Sequence, residues 1–228
     1  MSSKEKILGR IRANKGRGPL KKEHADILSE RIREHSHNLV PKRGLIPLED
    51  QIDLFCGKLE ALAATTERVK DAKDLPKKVQ DYLKEHNLPS RIKMSPSPEL
   101  TDLPWKDLPT LEIVTGAGAE EDVVGISPAF AGIAETGTLM MASGAETPST
   151  VNFLPENHIA VLDIRKMKGS FEEAWDLLRE KNGDQGMPRT VNLISGPSRT
   201  ADIEQRLIMG AHGPKNLHVI LVGDGEKD

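Results

Sequence analysis

Cysteine is almost absent from these 228 residues: Cys56 stands alone. A lone thiol excludes an intramolecular disulfide framework. It also excludes a Cys-ligated iron–sulfur cluster held by this chain by itself, because such clusters usually take four thiolates. Aromatics are scarce, with 2 Trp, 1 Tyr and 4 Phe. Aliphatic side chains must therefore fill the core, and the composition argues against a nucleic-acid reader built on stacked aromatics. No apolar run approaches the ~18 residues of a membrane span. The opening MSSKEKILGR lacks the apolar segment of a secretory signal. A cytoplasmic protein is the expectation.

What is present suits one α/β domain with an appendage. Net charge is −3, but residues 1–48 carry 12 Lys/Arg against 5 Asp/Glu, a balance of +7. The remainder balances at −10. Residues 1–46 are therefore expected to form a basic helical arm on an acidic body, 47–228. Such an arm can dock on an acidic partner, on RNA or on its own body; two solvated helix faces explain it equally simply.

The arm reads as helix, linker, helix. Ser2 and Glu5 have capping-box spacing, followed by Ile7, Leu8 and Ile11. Lys15-Gly16-Arg17-Gly18-Pro19 is a basic break. A second helix covers roughly Lys22 to His37, with Ile27, Leu28 and Ile32 on one face. Two such narrow stripes cannot make a core unaided.

In the body, Leu48, Ile52, Phe55, Leu59 and Leu62 define one helical face after Pro47. Val79, Tyr82 and Leu83 mark another helix, ending near Asn87. Strands are expected near Val69 and Ile92, at Leu111–Thr115, Asp122–Ile126, Thr138–Met141, His158–Ile164, Thr190–Ser195 and Leu217–Gly223. Ser95 to Pro109, with four prolines, reads as a loop pinned by Trp105. Helices are expected over Phe171–Lys181 and Ala201–Met209, the latter with Ile203, Leu207 and Ile208 inward. This β–α–β alternation predicts an open, mostly parallel sheet covered by helices.

Three segments can carry chemistry. In Gly132-Ile133-Ala134-Glu135-Thr136-Gly137-Thr138-Leu139 a carboxylate sits in a turn of small residues. The glycines let backbone N–H groups approach a ligand, the Thr136 and Thr138 hydroxyls can donate to an anion, and a buried Glu135 can act as nucleophile or base. A tight strand connection, with Glu135 capping backbone donors, accounts for it equally. In Ser195-Gly196-Pro197-Ser198-Arg199-Thr200-Ala201-Asp202 a Gly-containing loop follows a strand and is expected to open a helix, where anions bind in open α/β sheets. Ser198, Arg199 and Thr200 supply donors for an anion or polar ligand, the reading preferred over plain N-capping by Ser198 or Thr200. The loop is neither G-x-G-x-x-G nor Walker A, so no nucleotide is specified. In Gly210-Ala211-His212-Gly213-Pro214 the imidazole is framed by glycines, either positioned for chemistry or locking the turn. His35-x-His37 lacks acidic or Cys partners at ligand spacing, so no metal is expected. His24, His86 and His218 read as surface or strand residues. Asn152-Phe153-Leu154-Pro155-Glu156-Asn157-His158 joins a turn to a buried strand; its polar residues either line the same cleft or satisfy loop backbone.

Taken together, Ala134-Glu135-Thr136-Gly137-Thr138-Leu139, Asn152 through His158, Ile194 through Glu204 and Gly210 through Pro214 resemble the lactate utilization protein C family, also called the LUD-domain family. The resemblance runs from about Leu111 to Val222. It implies a fold like the NagB/RpiA/CoA-transferase group. It also implies a role in oxidising L-lactate to pyruvate, as the cluster-free component of a bacterial system whose companion proteins carry iron–sulfur clusters. One departure is that Ala145-Glu146-Thr147-Pro148-Ser149-Thr150 lacks an arginine often found there in relatives, which leaves Arg199 as the substitute anion partner.

Two classes of function follow. The first is a non-redox subunit of a lactate-oxidising complex, with no cofactor of its own, binding a small carboxylate or a partner. The second is an acyl- or CoA-transferring enzyme that uses Glu135 as nucleophile. In either case Glu135, Ser198, Arg199 and His212 are expected at one pocket on the C-terminal edge of the sheet. His212, placed beyond a helix, is the outlying member.

Overall fold

The computed structural model describes residues 2–16, 18, 20–183, 186–203, 206–210 and 212–224, with backbone alone for 200–203 and 206–208. It divides into two compact units, Met1–Leu39 and Val40–Asp228. The first unit holds α1 (Ser3–Asn14) and α2 (Lys22–Glu34), neither with a buried residue. The capping box is present: Glu5 N–H donates to the Ser2 hydroxyl and Ser2 N–H to the Glu5 carboxylate. Arg17 and Pro19 of the basic break lie outside the described residues.

In the second unit, Lys42–Gly44 forms a short 3-10 turn ahead of α3 (Leu48–Ala61). Residues 40–46, expected in the arm, thus belong to the body. Then come β1 (Thr65–Val69), α4 (Leu75–Glu85) and β2 (Arg91–Met94). The proline-rich stretch is not all loop: it contains α5 (Pro98–Thr101) and a 3-10 turn at Trp105–Asp107. Proline is tolerated in the first turn of a helix, so Pro98 starts one instead of preventing it. Trp105 is buried and its indole N–H donates to Leu100 O at 2.6 Å. There follow β3 (Glu112–Thr115), β4 (Val124–Pro128), β5 (Ala131–Ile133), β6 (Thr138–Ala142), α6 (Thr150–Phe153), β7 (Asn157–Asp163), β8 (Met167–Lys168), α7 (Phe171–Asn182), β9 (Val191–Ile194), β10 (Arg199–Ile203), β11 (Arg206–Met209) and β12 (Asn216–Val222).

Six strands make an all-parallel sheet in the order β1-β12-β7-β4-β2-β3. Its central strand, β7, pairs along its whole length with β12. Alternation splits β7 between two cores. Ile159 and Val161 join Val79 and Leu83 of α4, while Ala160 and Leu162 join Ile52, Phe55 and Leu59 of α3. A second sheet, β8-β5-β6-β9, contributes Leu139, Met141 and Met167 to the α3 core. Its other face packs Ala131, Ile133 and Met140 against Ala174 and Leu178 of α7. The architecture is therefore α/β, an open parallel sheet flanked by helices with a second sheet stacked on one core. Among the described residues no helix is long and apolar enough to cross a membrane.

The helix expected over Ala201–Met209 is not formed. The chain makes an antiparallel hairpin instead, pairing Arg199 with Met209 and Thr200 with Ile208. Spacings among Ile203, Leu207 and Ile208 fit a helical stripe, yet such residues suit strands as well. Bonds beyond the local window decide the outcome. Gly210 N donates to Ser198 O at 2.9 Å and Ser198 N to Pro214 O at 2.8 Å, which ties the two ends of the hairpin together.

Candidate functional site

The β5–β6 turn holds Glu135 in place through backbone bonds to the stretch that leads into α7. Ala134 N donates to Lys168 O and Glu135 N to Gly169 O. Gly137 adopts φ +64, and a Cβ there would lie 2.4 Å from Lys58 Cβ and 3.2 Å from backbone atoms of α3. Only glycine fits that combination of left-handed backbone and close approach. The Glu135 side chain is 5% exposed. Its carboxylate accepts the Phe171 N–H at 2.9 Å, the first amide of α7, and lies 3.6 Å from Arg43 Nη2. Arg43 Nε also donates to the Glu135 carbonyl at 3.1 Å. Glu135 is therefore a capping carboxylate on a helix N-terminus, where backbone donors and dipole favour negative charge.

Hydroxyls continue from this turn. Thr136 and Thr138 share a hydrogen bond at 2.7 Å, and Thr138 shares another with Ser195 at 2.7 Å. The second link follows from β6–β9 pairing, which sets Leu139 opposite Ile194 and so brings Thr138 alongside Ser195.

Beyond Ser195 lies a cavity of about 270 Å³. Ser195, Gly196, Ser198, Arg199 and His212 all line it. The hairpin accounts for the convergence of Ser198 and His212: it returns the chain so that His212 N–H donates to the Ser198 hydroxyl at 3.2 Å. His212, expected at the far edge, is thus a neighbour of Ser198. Arg199 is exposed, and its Nη2 donates to Leu62 O at 2.5 Å. The Thr200 side chain lies outside the described residues. Glu135 is not among the lining residues.

Two expectations about this place are corrected. Ser195–Thr200 connects strand to strand, so no helix N-terminus supplies anion-binding amides here. The cavity also does not lie at the C-terminal edge of the parallel sheet. It abuts His158 and Leu217, the second residues of β7 and β12, and hence the N-terminal ends of those strands. The cause is that β9 joins the second sheet instead of the parallel one.

Behind the wall, in contact with the lining residues Asn152 and His158, lies a group that strand patterning did not single out. Ser127, on β4, is 1% exposed and donates its hydroxyl proton to Asn152 Oδ1 at 2.7 Å. The same hydroxyl lies 2.8 Å from His158 Nε2. A hydroxyl has one proton to give, so His158 must donate from Nε2 and carry a bare Nδ1. That Nδ1 is buried without a partner. Burial holds the His158 imidazole down at about 4, so it is neutral near pH 7. Asn152 and His158 were legible as polar residues flanking a buried strand. Ser127 carried no signal, because its partners come from α6 and β7.

A match to the LUD domain family covers residues 52–222. The uncharacterized protein NMB1437 of Neisseria meningitidis serogroup B is 46% identical over 98 residues, 43% of this chain and 41% of that protein. Lactate utilization protein C of Bacillus subtilis is 36% identical over 108 residues, 46% of this chain and 45% of that protein. Its counterpart in Anoxybacillus flavithermus is 31% identical over 106 residues, 46% of each chain. The matched stretches span less than half the length of these curated relatives. The crystal structure of a DUF162 family protein from Deinococcus radiodurans superposes with a TM-score of 0.58 at 18% identity, covering 78% of this chain and 99% of that one. That likeness shows a shared fold. Since the family match takes in α3 from Ile52 onward, both sheets and every described residue of the cavity wall, the chain belongs to the LUD domain family.

Proposed function

We propose that this chain is the cluster-free component of a lactate-utilisation system that oxidises L-lactate to pyruvate with iron–sulfur partner proteins. The observation that carries the reading is the 36% identity to lactate utilization protein C of Bacillus subtilis. Oxidising a 2-hydroxy acid to a 2-oxo acid releases two electrons and two protons. The electrons need a carrier. A chain with Cys56 alone does not ligate a four-thiolate cluster by itself, so in this reading the carrier sits on a partner. The arm supplies a docking element: α1 and α2 leave Ile7, Ile27 and Ile32 exposed among basic side chains.

The acyl-transfer alternative asks Glu135 to attack a substrate. Its carboxylate instead accepts the Phe171 amide, pairs with Arg43 and lies outside the cavity. No observation favours that alternative.

The test is genetic and biochemical. A strain lacking this gene should lose growth on L-lactate, keep growth on glucose, and recover with a plasmid copy. The tagged full-length chain, purified from lactate-grown cells, should bring down iron-containing proteins. Undiminished growth of the deletion strain on L-lactate refutes the proposal.

A further inference from the structure

Among the described residues lining the 270 Å³ cavity, none is acidic. The body around it balances at −10, so a basic and neutral lining is a local reversal. The polar groups are mainly donors: the Arg199 guanidinium, the Ser198 hydroxyl and the Asn152 amide. Ser198 already accepts from His212 N, which leaves its own proton free to give. Phe153, Leu193 and Leu217 add apolar lining. The volume is smaller than that of a drug-sized pocket, which is roughly 300–1,000 Å³. Donors together with hydrocarbon, lining a small space that has no acidic side chain among its described residues, suit a short-chain carboxylate.

The buried chain behind the wall sets which end of Asn152 faces the cavity. His158 Nε2–H donates to Ser127, and Ser127 donates to Asn152 Oδ1. With its oxygen anchored on Ser127, the Asn152 amide turns its NH₂ group the other way. That group makes no hydrogen bond within the described residues, and it is not among the side-chain nitrogens sealed from solvent.

We propose that this cavity binds a short-chain 2-hydroxy or 2-oxo monocarboxylate. Asn152 Nδ2 and Arg199 hold the carboxylate, and Ser127 and His158 are positioning residues that keep the Asn152 amide turned donor-inward. The proposal deepens the lactate reading and takes from it the choice of probe.

The experiment titrates the full-length protein with L-lactate, pyruvate, lactamide and inorganic phosphate, followed by calorimetry and amide NMR shifts. L-lactate or pyruvate should bind saturably and more tightly than lactamide or phosphate. Arg199→Ala and Asn152→Asp should each weaken carboxylate binding by about tenfold or more, the scale of a lost hydrogen bond to a charged group. Ser127→Ala frees the amide to rotate, so its lactate-to-lactamide affinity ratio should fall towards one while the protein stays folded. A purely structural Ser127 would leave that ratio unchanged. Nitrogen-15 NMR should show His158 as the Nε2–H tautomer.

Four results overturn the proposal: no saturable carboxylate binding in the millimolar range, phosphate binding as tight as carboxylate, an Asn152→Asp protein that binds lactate as the parent does, or an Nδ1–H tautomer. Should Asn152→Asp fail to fold, the exposed Arg199→Ala variant and the tautomer decide. Absent binding alongside intact complementation on lactate overturns the cavity alone. Intact binding with undiminished growth of the deletion strain overturns the lactate reading alone.

Discussion

Replacing Glu135 separates a structural carboxylate from a reacting one. Glutamine keeps an oxygen for the Phe171 amide, 2.9 Å away, but loses the charge. Two contributions go with that charge. The first is the favourable placement of an anion at the N-terminus of α7. It amounts to ~0.3–1 kcal/mol on an exposed surface and up to ~2 kcal/mol in partly buried geometry. Glu135 is 5% exposed, so about 1–2 kcal/mol applies. The second is the pair with Arg43 at 3.6 Å, whose guanidinium is 56% exposed. Solvent screening leaves such a pair within ~0–1 kcal/mol. Glu135→Gln should therefore cost about 1–2 kcal/mol, mostly from the helix terminus, and lower Tm by roughly 2–8 °C in a body of this size. Glu135→Ala also leaves the Phe171 N–H without its acceptor, adding ~1–3 kcal/mol. The assay is urea unfolding of both variants by circular dichroism, beside complementation on L-lactate at a permissive temperature. The expected order of stability is parent, Gln, Ala, with growth retained by the Gln variant. A Gln variant as stable as the parent but unable to support growth refutes the reasoning and makes the carboxylate a chemical participant.

Burial holds His158 and His218 both at about 4, below the ordinary 6.5. The unfolded chain therefore takes up their protons first, so stability is full above pH 6.5 and falls as pH drops towards about 4. The slope reaches up to ~1.4 kcal/mol per pH unit for each histidine; urea midpoints across that window should show it, less steeply in His218→Gln, and a flat profile contradicts it. Gly44→Ala would set a Cβ 2.3 Å from Gly169 O, backbone against backbone; a loss of ~1–3 kcal/mol is expected from calorimetry, as for overpacking elsewhere. Deleting residues 2–39 removes α1 and α2, which bury nothing, so the cooperative melt of the body should stay within ~0.5 kcal/mol of the parent while partner capture weakens in a salt-sensitive manner; aggregation of the truncated protein would show the arm to be part of the core.

Local pattern was enough for most of the elements. The face Ile52, Phe55 and Leu59 predicts α3, and the apolar run from His158 to Ile164 predicts a buried strand, because burial of these residues is written into local sequence pattern. Ser2 with Glu5 predicts a capping box, since its two hydrogen bonds span three residues. Periodicity says nothing about sheet order. That β12, last in the chain, inserts between β1 and β7 is a matter of non-local pairing. Tertiary contact likewise made a hairpin of Arg199–Met209, through Ser198 bonded to both Gly210 and Pro214, and so brought His212 beside Ser198. It also divided the candidate residues. Glu135 went to the N-terminus of α7, while Ser198, Arg199 and His212 went to a cavity lined also by Asn152 and His158, which Ser127 joins from behind. Those three residues lie on three different elements, and a hydrogen bond between side chains so far apart in sequence leaves no periodic trace. Sequence alone determined which residue types were available for function; the folded chain determined which of them meet.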